Sequence, residues 1–190
     1  MEIKNILYRK EMKLITLLLT SLLIASASAA VYYSMIAQPN VTVSVGSIIF
    51  VQGADWPTTG STMGTNSTWA RLALKAYPNA TLTYDKPLNV SNTTGSAHLF
   101  RLRHVSITPA SGNTVSNFTF VNFVVKNTAG TSQASFNYTT SGDTWTTPAT
   151  TSYLSLPANT QWIIYVETKA TAGANTDIVA DIQIAIDVQE

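Results

Sequence analysis

The chain has 190 residues, of which 45% are hydrophobic and only 11% are charged, whereas charged residues make up about a quarter of an average soluble domain. Ser and Thr together supply 46 residues and Asn another 13. We therefore expect a surface of hydroxyls and amides, which favours a secreted β-rich protein over a cytosolic enzyme. The absence of cysteine excludes disulfides, zinc–thiolate sites, iron–sulfur clusters and cysteine nucleophiles.

The start of the chain has the pattern of a secretory signal peptide, which we assign to residues 1–29. An apolar stretch over residues 14–24 is followed by the small residues ASASAA, and we expect cleavage between Ala29 and Ala30. Met12 is an alternative start, because the residues that follow it form a complete signal on their own. A retained membrane anchor is the competing interpretation, since no charge occurs from Leu14 to Gln38. Otherwise we expect contact with the membrane only during export.

Removal of residues 1–29 takes away four of the 11 basic and two of the 10 acidic residues. This leaves seven basic and eight acidic residues, a net charge of −1. Nucleic-acid binding requires clustered Lys and Arg, so we expect no nucleic-acid partner.

Residues 30–38 form an apolar, extended run that ends at Pro39, with Val31, Tyr33 and Met35 on one face. This run is either an edge strand of its own domain or a strand that fills a gap in the sheet of a neighbouring subunit, by donor-strand complementation. In the second case, the donor strand comprises Ala30, Val31, Tyr32, Tyr33, Ser34, Met35, Ile36 and Ala37.

Beyond residue 40 the periodicity predicts strands and a single β-sandwich domain, residues 40–190. The clearest strand is residues 178–188, where apolar residues alternate with Asp181, Gln183 and Asp187. Residues 162–168 are apolar on both faces, as in a central strand. Residues 118–125 change parity, which predicts a β-bulge near Phe120. Further strands are predicted at residues 41–45, 47–51, 81–84, 99–107, 132–138 and 153–156.

One segment gives an ambiguous pattern. Trp69, Leu72 and Ala76 have helical spacing, and Pro78 would end a helix there. The alternating residues Ala70, Leu72 and Ala76 fit a strand equally well. Because Ala and Leu favour helix, we expect one short helix over residues 69–77.

Few residues are arranged for catalysis. His98 and His104 are the only histidines, and no third ligand or acid is spaced to complete a zinc site or a catalytic triad, so we expect two surface histidines. No carboxylates are adjacent or in calcium-loop spacing, although a glycosidase pair or a loop calcium site assembled in three dimensions stays open. We expect no enzyme activity, no cofactor and no metal.

The four tryptophans raise the alternative of sugar binding. Trp162 is expected in the core, whereas Trp56 and Trp145 lie in turn-rich stretches, where an exposed indole would stack on a sugar. The other interpretation is that these two rings pin long loops onto the sandwich.

Sequons of the form Asn-x-Ser/Thr occur seven times, against about three expected by chance. The excess predicts glycosylation, and glycans would supply the hydration that charge does not. The candidates are Asn40, Asn66, Asn79, Asn89, Asn92, Asn117 and Asn137.

The run AVYYSM behind the signal, the late LSLPANTQWIIYVETKATAGAN and the final DIVADIQIAIDV together resemble the archaeal bundling pilus subunits. Those subunits are similar to camelysin and to the TasA-type biofilm matrix fibre proteins of bacteria. The resemblance covers the mature chain and rests on the order of its elements and on the sequences of its turns. It implies a jelly-roll subunit, polymerised by a donated N-terminal strand over residues 30–39 into a secreted, cell-surface filament that bundles laterally in biofilms.

The expected partners are therefore identical subunits in a homopolymer and other filaments in a bundle. Two alternatives stay open: a secreted β-sandwich module that binds glycans or the cell surface, and a calcium-dependent, cannula-like tubule subunit, which the sparse acidic residues disfavour. A type IV pilin is excluded, because such subunits keep an apolar N-terminal helix, whereas here a β-like run follows the small residues.

Overall fold

The computed structural model of the protein describes residues 12–18, 46–174 and 178–189. The chain divides into two units, Met1–Ser44 and Val45–Glu190. In the first unit, residues 12–18 are helical and exposed. No helix within the described ranges is long and apolar enough to cross a membrane. The rest of the predicted signal peptide, the donor strand, Asn40 and the strand at residues 41–45 lie outside the described residues.

The second unit is all-β. Its described strands are β1 (Ile48–Gln52), β2 (Thr62–Met63), β3 (Trp69–Ala76), β4 (Thr81–Asn92), β5 (His98–Pro109), β6 (Phe118–Lys126), β7 (Ser132–Ser141), β8 (Thr144–Thr146), β9 (Leu154–Leu156), β10 (Gln161–Ala170) and β11 (Ile178–Gln189). A 3-10 turn, Val115–Asn117, precedes β6.

The strands form two antiparallel sheets with jelly-roll connectivity. The first sheet has the order β1-β4-β10-β6-β7-β8 and the second the order β2-β3-β11-β5-β9. The pairs β3–β11, β4–β10, β5–β9 and β6–β7 are nested like the two arms of one long, folded hairpin. This nesting confirms the predicted jelly-roll-like sandwich.

The core lies between the two sheets and follows the predicted alternation. On β11, Ile178, Ala180, Ile182, Ile184 and Ile186 are buried, while the intervening Asp181 and Asp187 are not. On the other sheet, β10 lies between β4 and β6 and buries Trp162. Aromatic and aliphatic side chains of both sheets form one continuous cluster, so burial of apolar area provides the main stabilisation.

The helix predicted over residues 69–77 is wrong, because residues 69–76 form strand β3. Eight residues of β3 pair with β11, from Ala76 opposite Ile178 to Trp69 opposite Ala185. The alternating residues Ala70, Leu72, Leu74 and Ala76 are fully buried. A short helix is only marginally stable alone, so pairing and burial outweigh the helix propensity of Ala and Leu.

The bulge predicted near Phe120 is present. Lys169 pairs with Phe120 and Ala170 with Phe118, so Thr119 is an extra residue on β6. The bulge reverses the side-chain parity. Phe118 on one side of it and Val121 on the other therefore both reach the core.

Asn92 is a buried polar joint at one end of the sandwich, with 1% of its surface exposed. Its Nδ2 donates to the carbonyl oxygens of Ser96, Leu156 and Pro157, at 2.8, 3.1 and 3.1 Å. Its Oδ1 accepts from the main-chain N–H and the hydroxyl of Thr94. Asn92 therefore joins β4 to the loop before β5 and to the end of β9.

We predict that Asn92→Ala lowers the free energy of unfolding by about 2–4 kcal/mol, because it leaves several buried polar groups without partners. Urea denaturation followed by circular dichroism measures the change. The control is Asn137→Ala at an exposed position of β7, where we expect a change within about 0.5 kcal/mol. Equal stability of the two variants would contradict the role assigned to Asn92.

Candidate functional site

The outer edge of β5 is largely uncovered. β5 has twelve residues, but β9 pairs only with its first three, His98 to Phe100. Thr151 extends the cover by one step, because its N–H donates to the Leu102 carbonyl and its hydroxyl accepts from the Leu102 N–H, both at 3.0 Å. Among the described residues, the outer side of residues 103–109 has no strand beside it. We call this side, about 23 Å long, the open edge.

Side chains along the open edge are less buried than those before it. Phe100 and Leu102 are fully buried, whereas His104 and Ile107 are only half-buried and Val105 is 40% exposed. A register shift against β11 lies at this point, with His104 opposite Ile184 and Ser106 opposite Gln183. A strand lying beside the open edge would cover this part of the core.

The open edge lies along one long side of the sandwich, where the space between the two sheets forms a seam. β5 forms one wall of this seam, and the other wall, formed by β7 and β8 of the first sheet, is aromatic. Phe136 and Tyr138 of β7 are buried and pack edge-to-face, with ring centroids 5.5 Å apart. On β8, the Trp145 ring lies 5.2 Å from that of Phe118. The buried indole N–H of Trp145 has no hydrogen-bond acceptor in the described part of the chain. The seam thus combines an apolar wall with an unused N–H donor.

His104 connects the two walls of the seam. Its Nδ1 lies 3.0 Å from the Tyr138 hydroxyl, and the two rings pack edge-to-face. Burial lowers the pKa of His104 and raises the pKa of Tyr138. Burial therefore favours the neutral form of both side chains, as expected for groups packed between apolar walls.

The opposite seam of the sandwich is closed, although its edge strand β2 has only two residues. Beyond β2, the Ala73 N–H donates to the Ser61 hydroxyl and the Lys75 N–H donates to the Tyr84 hydroxyl, both at 2.9 Å. Side chains therefore satisfy main-chain donors of β3 that a further strand would otherwise use. This difference makes the open edge the natural place for an added strand.

The described start of the second unit lies at the other end of the sandwich from the open edge. Ile48 pairs with Asn92 on β4. Asn92 contacts Leu156, and Leu156 pairs with His98 at the start of β5. The chain therefore enters the domain level with the first residue of β5, and at the side of the first sheet that is farthest from β7 and β8.

The described sequons differ in exposure. Asn66, Asn79 and Asn137 are exposed, and Asn89 and Asn117 are half-buried. The geometry argues against modification of Asn92, because its Nδ2 is buried and its two hydrogens are shared among three carbonyl oxygens. Asn66 has the same local turn, in which its Oδ1 accepts from the N–H and the hydroxyl of Thr68.

The tryptophans and histidines considered as functional candidates lie in different environments. Trp162 is in the core as predicted. Trp145 packs on Phe118, whereas Trp56 lines a surface cleft. His98 is half-buried. Within the described ranges, no three His, Asp or Glu side chains are grouped so as to hold a metal ion.

No family model matches the chain, and no curated protein matches it. Among solved structures, it is similar to the enzymatically active domain of tailspike protein 4 of bacteriophage CBA120, with 15% identity and a TM-score of 0.28. The alignment covers 77% of this chain, which spans 20% of the length of the tailspike chain.

We predict that glycans on native protein occur at Asn66 and Asn137 and are absent from Asn92. The sequons of Asn66 and Asn92 have the same Asx-type turn, so burial is the difference that this pair tests. Mass spectrometry of proteolytic peptides from native material measures the occupancy. A glycan on Asn92, or bare Asn66 and Asn137, would contradict the prediction.

We also predict that the free energy of unfolding falls as the pH decreases through about 6.5. Burial lowers the pKa of His104 in the folded state below its ordinary value of 6.5. The unfolded chain therefore binds more protons between these two pKa values, and the stabilisation is complete only above the higher one. Urea denaturation at several pH values between about 8 and 5 measures the effect.

His98→Gln and His104→Gln are matched variants for this measurement, because they replace the only two histidines in the chain. We expect His104→Gln to reduce the pH dependence. An unchanged pH dependence in His104→Gln would show that the titration of this residue does not affect stability.

Proposed function

We propose that the protein is the structural subunit of a secreted, cell-surface filament, in which residues 30–37 of one subunit pair with the open edge of the next. The observation that carries this proposal is the long outer side of β5 that no other described strand pairs with, beside a buried aromatic wall. The proposed role is structural rather than enzymatic, and it requires no cofactor. The proposed partners are identical subunits, with lateral bundling of the resulting filaments.

The open edge and the proposed donor strand have similar lengths. The open edge has seven residues, and the proposed donor strand has eight. An added strand would gain main-chain hydrogen bonds along this edge, and alternate side chains would enter the seam. Val31, Tyr33 and Met35 are apolar and lie on one face of the donor strand, which suits the half-buried surface around Ile107.

The described start of the second unit lies level with the first residue of β5, away from the open edge. Insertion of residues 30–37 into the open edge of a neighbouring subunit would produce a head-to-tail polymer.

We predict that two variants, each defective in one half of the joint, form dimers only with one another. Val31→Ser/Tyr33→Ser/Met35→Ser removes the apolar face of the donor strand, at a cost of several kcal/mol, since each buried side chain contributes roughly 1.5–3 kcal/mol. Ile107→Asp places a charge in the seam of the acceptor. Mixing the two leaves one intact donor and one intact acceptor, so we expect a capped heterodimer and no filament.

Electron microscopy and analytical ultracentrifugation of the mature protein measure the outcome. The control is Ser135→Asp, which introduces the same charge at an exposed position of β7, outside the open edge, and should leave the filaments intact. Circular dichroism establishes that each variant is folded. Filaments formed by the triple Ser variant alone, or folded variants that do not pair when mixed, would refute the donor-strand joint.

A further inference from the structure

We propose that a cleft at the closed seam binds a neutral saccharide, independently of the filament function proposed above. The cleft has a volume of about 460 Å³ and lies between the loop after β1 and the strands β3 and β4. Trp56 and Tyr84 contribute rings to its lining, Asp55 and Lys75 contribute charges, and Thr58 and Thr83 contribute hydroxyls. This volume lies within the range of small-molecule sites, roughly 300–1,000 Å³.

The loop that forms one wall is held rigidly against β4. Gly53 donates to the Pro87 carbonyl, and the Asp55 N–H donates to the Lys86 carbonyl. A Cβ at Gly53 would lie 1.8 Å from the Lys86 carbonyl oxygen, so only glycine permits this approach. The Asp55 Oδ2 accepts from the N–H groups of Asp85 and Lys86, both at 3.0 Å. The loop is thus pre-organised, which lowers the entropic cost of binding.

The aromatic residues are held in place on both sides. Trp56 is half-buried and packs against the core, and its main-chain N–H donates to the Gly53 carbonyl. The Tyr84 hydroxyl accepts from the Lys75 N–H at 2.9 Å. A sugar ring has an apolar C–H face and a polar rim of hydroxyls. Fixed rings beside hydroxyl and charged groups are complementary to both features.

The charges in the lining do not favour an anionic ligand. Asp55 and Lys75 carry opposite charges, and Asp55 would repel an anion. The Asp55 carboxylate can accept hydrogen bonds from sugar hydroxyls, and hydrogen bonds to charged groups are the stronger ones. A nucleotide or an acidic polymer would be opposed by Asp55.

Trp145, the other tryptophan in a turn-rich stretch, does not contribute to the Trp56 cleft. Its ring packs on Phe118 beside the other seam. The cleft and the open edge therefore lie on opposite sides of the sandwich. Filament joints and saccharide binding do not compete for the same residues, so loss of one leaves the other measurable.

The test uses the mature chain with Ile107→Asp, which blocks the proposed filament joint and lies outside the cleft. The chain is produced without glycans, and the probes are the methyl glycosides of glucose, galactose, mannose and N-acetylglucosamine. Isothermal titration calorimetry and amide NMR shifts measure binding. We expect at least one glycoside to bind in the millimolar range or tighter and to shift the signals of residues 55–59. Sorbitol, which has the hydroxyls but no ring face, should not bind.

Trp56→Ala should weaken that binding by about tenfold or more, while Trp145→Phe should leave it unchanged. Because Trp56 also packs on the core, Thr58→Val provides a second variant at an exposed position and should weaken binding severalfold. The proposal is overturned if none of the glycosides binds, if sorbitol binds equally, or if binding survives unchanged in both folded cleft variants.

Two sources of the sugar are distinguished with glycosylated native protein. A weaker apparent affinity for the added glycoside than in the glycan-free chain would identify the protein's own glycans as competing ligands. Equal affinities would identify an external saccharide. Both interpretations require binding in the same cleft, so Trp56→Ala should weaken glycoside binding in the native protein and in the glycan-free chain alike.

Discussion

The main-chain hydrogen bonds at the edges of the two sheets are the constraint on which the rest of the structure depends. Inside each sheet the ladders satisfy these groups, and at β3 the hydroxyls of Ser61 and Tyr84 take over where β2 ends. The outer side of residues 103–109 has no comparable cover among the described residues. Water can satisfy the polar groups there, but it cannot cover the apolar seam behind them. An added strand satisfies both requirements, which is why we place the proposed joint at this edge.

Much of the fold follows from period-two alternation. The strand at residues 178–188 is correct because every second side chain is apolar, and the bulge at Phe120 is visible as a change of parity. Strand β3 was missed because its Ala- and Leu-rich sequence fits both periods. Its state is decided by pairing with β11, whose residues lie about a hundred positions further along the chain.

The two halves of the proposed joint differ in what the sequence reveals, since a donor strand is a local alternation of apolar residues, whereas an acceptor edge depends on which distant strands pair. The open edge exists because β9 is much shorter than β5. Two local signals point to it: the buried alternation of β5 ends after Leu102 with the polar His104, and Pro157 ends β9 after three residues. Neither signal reveals that β9 pairs with β5, because that pairing joins residues more than 50 positions apart. The Trp56 cleft depends likewise on the close approach of Gly53 to β4.

The chain carries few charges, and the two outer faces of the sandwich are hydrated by different groups. On the second sheet, Arg71 pairs with Asp181, and Arg101 and Arg103 pair with Asp187. Such exposed pairs contribute at most about 1 kcal/mol each to stability, so their main effect is hydration. The outer face of the first sheet carries the sequons of Asn89 and Asn137, at positions that alternate with buried residues. Hydration at this face therefore depends on amides, hydroxyls and any attached glycans.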